Sequence, residues 1–366
     1  MERVLFIIIL VVHGLIHLMG FLKAYKLGEI NLLTQYISEP YGIAWLLTAL
    51  LFFLTLIQYV ASNAFWWLTA FLSVIISQFL IIIFWQDAKL ATVPNLIILT
   101  ASIIAFAFWN FDRKIKIGID DIFDQGTPTG KSIVQSDELK DLPIPVKKWL
   151  TNSGIIGKER ASYVRLKQTA LMKMKPDQEY WSKATAQQYF AIEKPSFLWK
   201  VDLEMMPFIN ITGRDLFVGG KGEMLIKLFS IINVLDEKGE KIDQGTMQRY
   251  LGELVWFPTA ALNPYIQWVP IDSLSAKATM NYYGKNASGT FYFNEHGDFI
   301  KYSALRYREN KPDATPEEWV ISVQENREVN GIRIPVKMEA TWKLDTGDWT
   351  WLKLEIEEIE YNKPVG

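Results

Sequence analysis

His13 and His17 are two of the three histidines in 366 residues, and they stand four apart. That spacing puts both imidazoles on one face of a helix. Two imidazoles can begin a metal site, but a zinc centre takes three or four ligands. His296 lies in the turn sequence Asn-Glu-His-Gly-Asp, and Asp87 lies at the end of a separate apolar run, so no metal is assigned. A bis-histidine haem would need a histidine on a facing helix, which only a second copy of the chain could bring. The pair therefore reads as an interhelical hydrogen-bonding device, with Ser77 and Gln78 as partners at similar depth in a later run. A proton or small-ligand role is the alternative, because ionisable groups at such depth are functional by default.

A second constellation lies much further on. Arg249, Glu253 and Trp256 follow i, i+4, i+7 spacing in TMQRYLGELVWF. They could orient a polar head group, or work as acid and base beside a stacking surface. Arg214 and Asp215, after Gly213, could complete the network, although turn chemistry explains them equally well. On spacing alone an Arg–Glu pair four apart is a surface salt bridge worth a few tenths of a kcal/mol. Gly219-Gly-Lys-Gly222 lacks the GxxxxGK[ST] spacing of a phosphate loop and reads as a hairpin turn. Asp87 and Lys89 read as a solvated loop pair. With no cysteine, thiol nucleophiles, disulfides and Cys-ligated metals are excluded. Interleaved, nearly balanced charge gives no nucleic-acid footprint.

The elements that position these residues fall into two halves. Residues 1–111 carry only four Lys/Arg and four Asp/Glu, against 34 and 36 in residues 112–366. Four apolar runs, near Val4–Leu22, Tyr41–Val60, Phe65–Trp85 and Leu96–Phe111, suffice for helices spanning a bilayer, which takes about 20 residues each. The first is too long for a cleaved signal and reads as an anchor. Ala24–Glu39 could form an interfacial helix ending at Pro40. The chain is thus expected to be a multi-pass integral membrane protein. Arg3, Arg113, Lys114 and Lys116 oppose Lys23, Lys26 and Lys89, so the positive-inside rule leans by one residue towards a cytoplasmic soluble half and leaves the side undecided.

Residues 112–160 read as a connector with short helices, including the turn-rich Asp124–Gly130. From 161 to 366 the period is two, the mark of half-buried strands. Val164, Leu166, Ala170, Met172 and Met174 share one face, and Asn294–Asp298, Asn330-Gly331 and Asp345–Asp348 are hairpin turns. Glu223–Leu235, apolar on both faces, is expected to be one doubly covered strand. A helix is expected near 246–257. The fold class is α+β: four transmembrane helices, then a curved, mostly antiparallel, half-barrel-like sheet of eight to eleven strands with a few short helices.

HGLIHLMGF, WQDAKLATVPN, LPIPVKKWL, ITGRDLFVGGKGEM, RYLGELVWFPTAAL and WVPIDSLSAKAT resemble, over nearly the whole chain, an uncharacterised bacterial family with a domain of unknown function. The family carries no established activity. It brings a functional or buried role for Arg249 and Glu253 level with the salt-bridge reading. By its pattern of elements the soluble half is also similar to the lipoprotein-carrier fold (LolA/LolB-like), whose curved sheet closes over an apolar cavity. Those carriers lack a four-span membrane domain. The expectation is a membrane-anchored, non-catalytic binding or carrier protein for a lipid or other amphipathic ligand. Its partners are membrane lipids or a hydrophobic small molecule, no cofactor is required, and a homodimer through the membrane helices is an open possibility. The rivals are an enzyme on a hydrophobic substrate using Glu253 and Arg249, and a structural membrane scaffold.

Overall fold

The computed structural model describes residues 2–124, 132–206 and 209–363. The turn-rich stretch after Asp124 falls outside them. The chain divides into two compact units, Met1–Arg113 and Lys114–Gly366.

In the first unit the helices are α1 (Glu2–Ala24), α2 (Glu39–Val60), α3 (Trp66–Ile83), α4 (Trp85–Ala88) and the first part of α5 (Thr92–Asp124), whose last residues are counted with the second unit. Four segments are long and apolar enough to cross a membrane: Arg3–Ala24, Glu39–Val60, Trp66–Ile83 and Trp85–Asp124. Their large apolar side chains point outward, Leu47, Ile57, Phe79 and Ile82 among them, while Thr48, Thr55, Ser73 and Ser77 are buried. Small and polar residues inside with aliphatic ones outside is the packing that suits a lipid solvent. Gly20 lets α1 meet α2, since a Cβ there would collide with the Trp45 indole. Tyr25–Ser38 forms turns rather than an interfacial helix, and Pro40 stands in the first turn of α2. Proline is tolerated there because its missing N–H would have no partner in the helix anyway. Asp87 holds this loop, accepting bonds from the backbone N–H groups of Thr34 (2.6 Å) and Gln35 (2.8 Å), so it does not pair with Lys89.

The second unit contains α6 (Ile144–Asn152) and α7 (Glu240–Glu253). Its strands are β1 (Tyr163–Met172), β2 (Ser182–Ala191), β3 (Ser196–Met206), β4 (Ile209–Val218), β5 (Lys221–Leu228), β6 (Ile232–Lys238), β7 (Ile266–Pro270), β8 (Ser275–Tyr282), β9 (Lys285–Phe293), β10 (Phe299–Tyr307), β11 (Pro316–Val329), β12 (Ile332–Leu344) and β13 (Gly347–Tyr361). All thirteen form one unclosed sheet in the order β6-β5-β4-β3-β2-β1-β13-β12-β11-β10-β9-β8-β7. Every paired neighbour is antiparallel. The sheet is two meanders of successive hairpins, β1–β6 and β7–β13, joined where β1 pairs with β13.

The strand count exceeds expectation partly because Glu223–Leu235 is not one strand. It folds back as the β5–β6 hairpin through Phe229 (φ 52°) and Ser230 (φ 56°), closed by the Ile231 N–H on the Leu228 carbonyl at 3.0 Å. That is a type I′ turn without its usual Asn-Gly or Gly residues. Asn330-Gly331 fills the same role with φ of 55° and 74°.

The helix expected near 246–257 begins earlier, at Glu240, and passes into short 3-10 turns at Leu254–Trp256 and Pro258–Leu262. It packs against β4, β5 and β6 in one meander and β8, β9 and β10 in the other. To meet both, the sheet must curl around it, and nearly all of α7 from Gly245 to Glu253 is buried. Gly222 on β5 permits the closest approach, where a Cβ would run into the Thr246 side chain and the Ile242 carbonyl. Aromatic rings fill the space beside α7, with Phe190 against Phe257 (4.7 Å between centroids) and Tyr250 against Phe217 (6.1 Å). Trp149 of α6 closes the far end against Phe291 and Phe293.

Candidate functional site

One turn of helix brings Arg249 over Glu253, so the i, i+4 pair forms, with Nε donating to Glu253 Oε1 at 2.8 Å. Both residues are buried, which removes the pair from the class of solvated surface bridges. Arg249 Nη1 also donates to Asp215 of β4. Its guanidinium lies over Trp199 (4.5 Å to the centroid) and Phe197 (5.2 Å). The second oxygen of Glu253 accepts from Gln188 Nε2 at 2.7 Å, Gln188 accepts from Gln168 at 3.1 Å, and Gln168 accepts from the Trp199 indole at 3.0 Å. A closed chain thus runs from helix to sheet and back beneath the same ring.

One guanidinium between two buried carboxylates cannot compensate both fully. Burial pushes the Glu253 carboxyl above the usual carboxylate range, despite Arg249 and Gln188. Burial also works against the Arg249 charge, but Glu253 and Asp215 outweigh it and its pKa is raised.

Arg214 is not part of this network. Strand alternation turns it to the opposite face from Asp215, where it pairs with Glu223, which Lys238 also contacts at 2.7 Å. Trp256 is not the ring beneath Arg249. The helix tightens after Glu253, and the Trp256 indole donates to the Pro335 carbonyl at 3.1 Å.

Asp215, Arg249, Glu253 and Trp256 meet again in the wall of a cavity of about 520 Å³. Its sides come from β4–β6 on one hand and β10–β13 on the other, with α7 between. The wall is mostly apolar and includes five tryptophans, Trp256, Trp319, Trp342, Trp349 and Trp351. Residues 308–311 border it, and Asn310 there donates to Glu237 Oε2 (2.6 Å) and the Lys238 carbonyl (3.0 Å). A half-buried, aromatic-lined space of this size with a few convergent polar groups fits the usual small-molecule site of about 300–1,000 Å³.

Arg306 of β10 also lines the cavity, and it was not singled out above. It shares a strand face with the buried Tyr302 and Ala304, so a period-two reading of FIKYSALRY would have found a cation on the apolar face. Gln168 could have been found the same way, lying in register between Leu166 and Ala170. Burial and the neighbouring Arg249 charge pull the Arg306 pKa down to about 10.

In the helical unit His13 Nε2 lies 2.8 Å from Asn95 Oδ1 and 3.4 Å from Ser77 Oγ. Asn95 donates to Ser77 (3.0 Å) and to Gln78 (3.1 Å), so Gln78 reaches His13 only through it. His17 bonds the His13 carbonyl of its own helix at 2.9 Å and packs on Trp45 and Phe52. Asn95 is the hub that sequence reading missed, directly after Pro94 at the start of α5.

Comparison with known proteins adds two findings. The model of a family of unknown function, DUF6544, matches residues 132–354. Among solved structures the chain is similar to a LolA superfamily protein from Nitrosomonas europaea, at 9% identity and a TM-score of 0.36, over 63% of this chain and 96% of that one. No curated protein matches it.

Proposed function

The chain belongs to the DUF6544 family of unknown function, and from that starting point we propose a membrane-anchored, non-catalytic binding or carrier protein for a lipid or other amphipathic ligand. The observation that carries this reading is the cavity of about 520 Å³ with five tryptophans in its wall. Such a wall offers a large aromatic, apolar area to the chain of such a ligand. The four apolar helices would anchor the chain in a bilayer, where such ligands are concentrated.

The enzymatic alternative needs Glu253 free to exchange a proton with substrate. Both of its oxygens are already engaged, by Arg249 and Gln188. A base must reach the proton it takes, so the network reads as scaffolding for the wall.

The test uses the full chain extracted in polymer-bounded lipid discs. Mass spectrometry should find a stoichiometric amphipathic molecule in the native chain and its loss in Ala340→Trp, where the indole fills the cavity from β12. Identical lipid content in the two would mean annular lipid only, and the carrier reading would fall.

A further inference from the structure

Among the described residues, the buried polar atoms of the cavity wall that lack a partner are all donors. Arg306 is only 8% exposed, yet its Nε has no hydrogen-bond partner and no carboxylate pairs with it among the described residues. Its guanidinium lies over Trp319 (4.6 Å) with Trp342 nearby (5.9 Å). From the other side Gly245 of α7 admits it, since a Cβ there would come within 3.0 Å of Nε. The indole N–H groups of Trp319, Trp349 and Trp351 are likewise buried and unpartnered. The cavity's carboxylates are engaged elsewhere, Asp215 and Glu253 with Arg249, Glu237 with Asn310, Glu309 with Arg308 and Lys311, and Glu339 with Lys353. A buried guanidinium with no carboxylate partner, beside unpartnered indole donors, is an unusual arrangement for groups with no external role.

We propose that Arg306 is the anchor for an oxyanion head, a carboxylate or a phosphate, on an amphipathic ligand whose apolar chain lies along the tryptophan wall. This rests on the carrier reading above and names the ligand class. A planar guanidinium held by stacking presents its N–H fork to such a head in fixed geometry. A quaternary ammonium head, which a tryptophan-rich wall would otherwise suit, meets the Arg306 charge instead.

The experiment titrates the full chain in lipid discs with four probes sharing one alkyl chain: laurate, lauryl phosphate, lauryl alcohol and lauryl trimethylammonium. Tryptophan fluorescence reports binding. Both anions should bind at least about tenfold more tightly than the alcohol, as a charge-assisted pair in a dry site requires, and the ammonium should bind most weakly. Arg306→Leu should bring the anions to the level of the alcohol while leaving alcohol binding unchanged. It should also match or exceed the native chain in thermal stability, since a buried unpaired charge is replaced by an apolar side chain. Arg306→Lys, which keeps the charge without the fork, should recover part of the preference. The ratio between laurate and lauryl phosphate tells which oxyanion the site takes. Equal binding of anions and alcohol, or a preference that survives in Arg306→Leu, overturns the anchor and leaves the carrier reading intact. Failure of all four probes to bind overturns both.

Discussion

Arg249→Met is the sharpest perturbation of the buried network. It keeps the stem's packing on Trp199 and Phe197 but removes the one cation between Asp215 and Glu253. Breaking a buried ion pair from one side costs about 3–5 kcal/mol, because the remaining charges lose their counter-ion. In a unit of this size each kcal/mol moves the melting temperature by about 2–4 °C, so a drop of about 6–20 °C is expected. The variant also carries a pH signature. With Arg249 gone, the burial that already raises the Glu253 pKa is no longer opposed by that counter-ion. The folded state then binds more protons than the unfolded one, so the loss is greatest at high pH and shrinks as pH falls. The slope that one carboxylate can give does not exceed about 1.4 kcal/mol per pH unit. Replacing all three charges at once, Arg249→Met with Asp215→Leu and Glu253→Met, should recover most of the loss. What remains is about 1 kcal/mol for the stranded Gln188. The assay is thermal unfolding of the full chain followed by near-ultraviolet circular dichroism across pH. A loss below about 1 kcal/mol, or one that does not depend on pH, would refute the claim that this network is a desolvated, mutually dependent unit.

Two further outcomes follow from the same kind of reasoning. Asp298 joins Asn152 of α6 (2.9 Å) to Arg333 of β12 (2.6 Å), and Arg333 holds its carboxyl below the ordinary 3.8. Its stabilising effect is therefore present above that value and lost as pH falls through the lower folded one. Asp298→Asn should cost about 1–2 kcal/mol at neutral pH and progressively less in denaturant titrations as pH falls below 3.8, and a cost that does not change with pH would exclude the charged contact. In the helical unit, a double-mutant cycle on His13→Leu and Asn95→Leu, read by unfolding in mixed micelles, should give a coupling of about 0.6–1.7 kcal/mol. Strict additivity would mean that the 2.8 Å contact contributes nothing.

The sequence made the apolar helices and the alternating strands legible because both patterns are local. HGLIHLMGF lies in a helix, and the Asn330-Gly331 dipeptide turns as its residue types require. The β5–β6 hairpin was hidden because Phe229 and Ser230 carry no turn signal of their own. Their positive φ is imposed by the pairing of β5 with β6 and not by their intrinsic preference. The candidate site was half visible. Arg249 and Glu253 are neighbours along one helix, but Asp215, Gln188 and Arg306 reach them only through the curl of the sheet. Arg214 misled because adjacency in sequence means opposite faces in a strand. Asn95 was overlooked because an asparagine beside Pro94 looks like a helix start, and only the packed bundle shows it bonded to three residues.

The seam between β1 and β13 sets the order in which the β unit can be made. Every other neighbour in the sheet is joined by a local turn or by the next stretch of chain, whereas these two strands lie at opposite ends of the unit. A nascent chain can therefore build β1–β6 early, but that meander waits with one long edge unpaired until the last strand has been synthesised. Loop closure over that distance makes the final joining slow. The exposed β1 edge is meanwhile open to pairing with another chain. Strand peptides copying β13 should therefore capture newly made chains and leave the mature protein untouched.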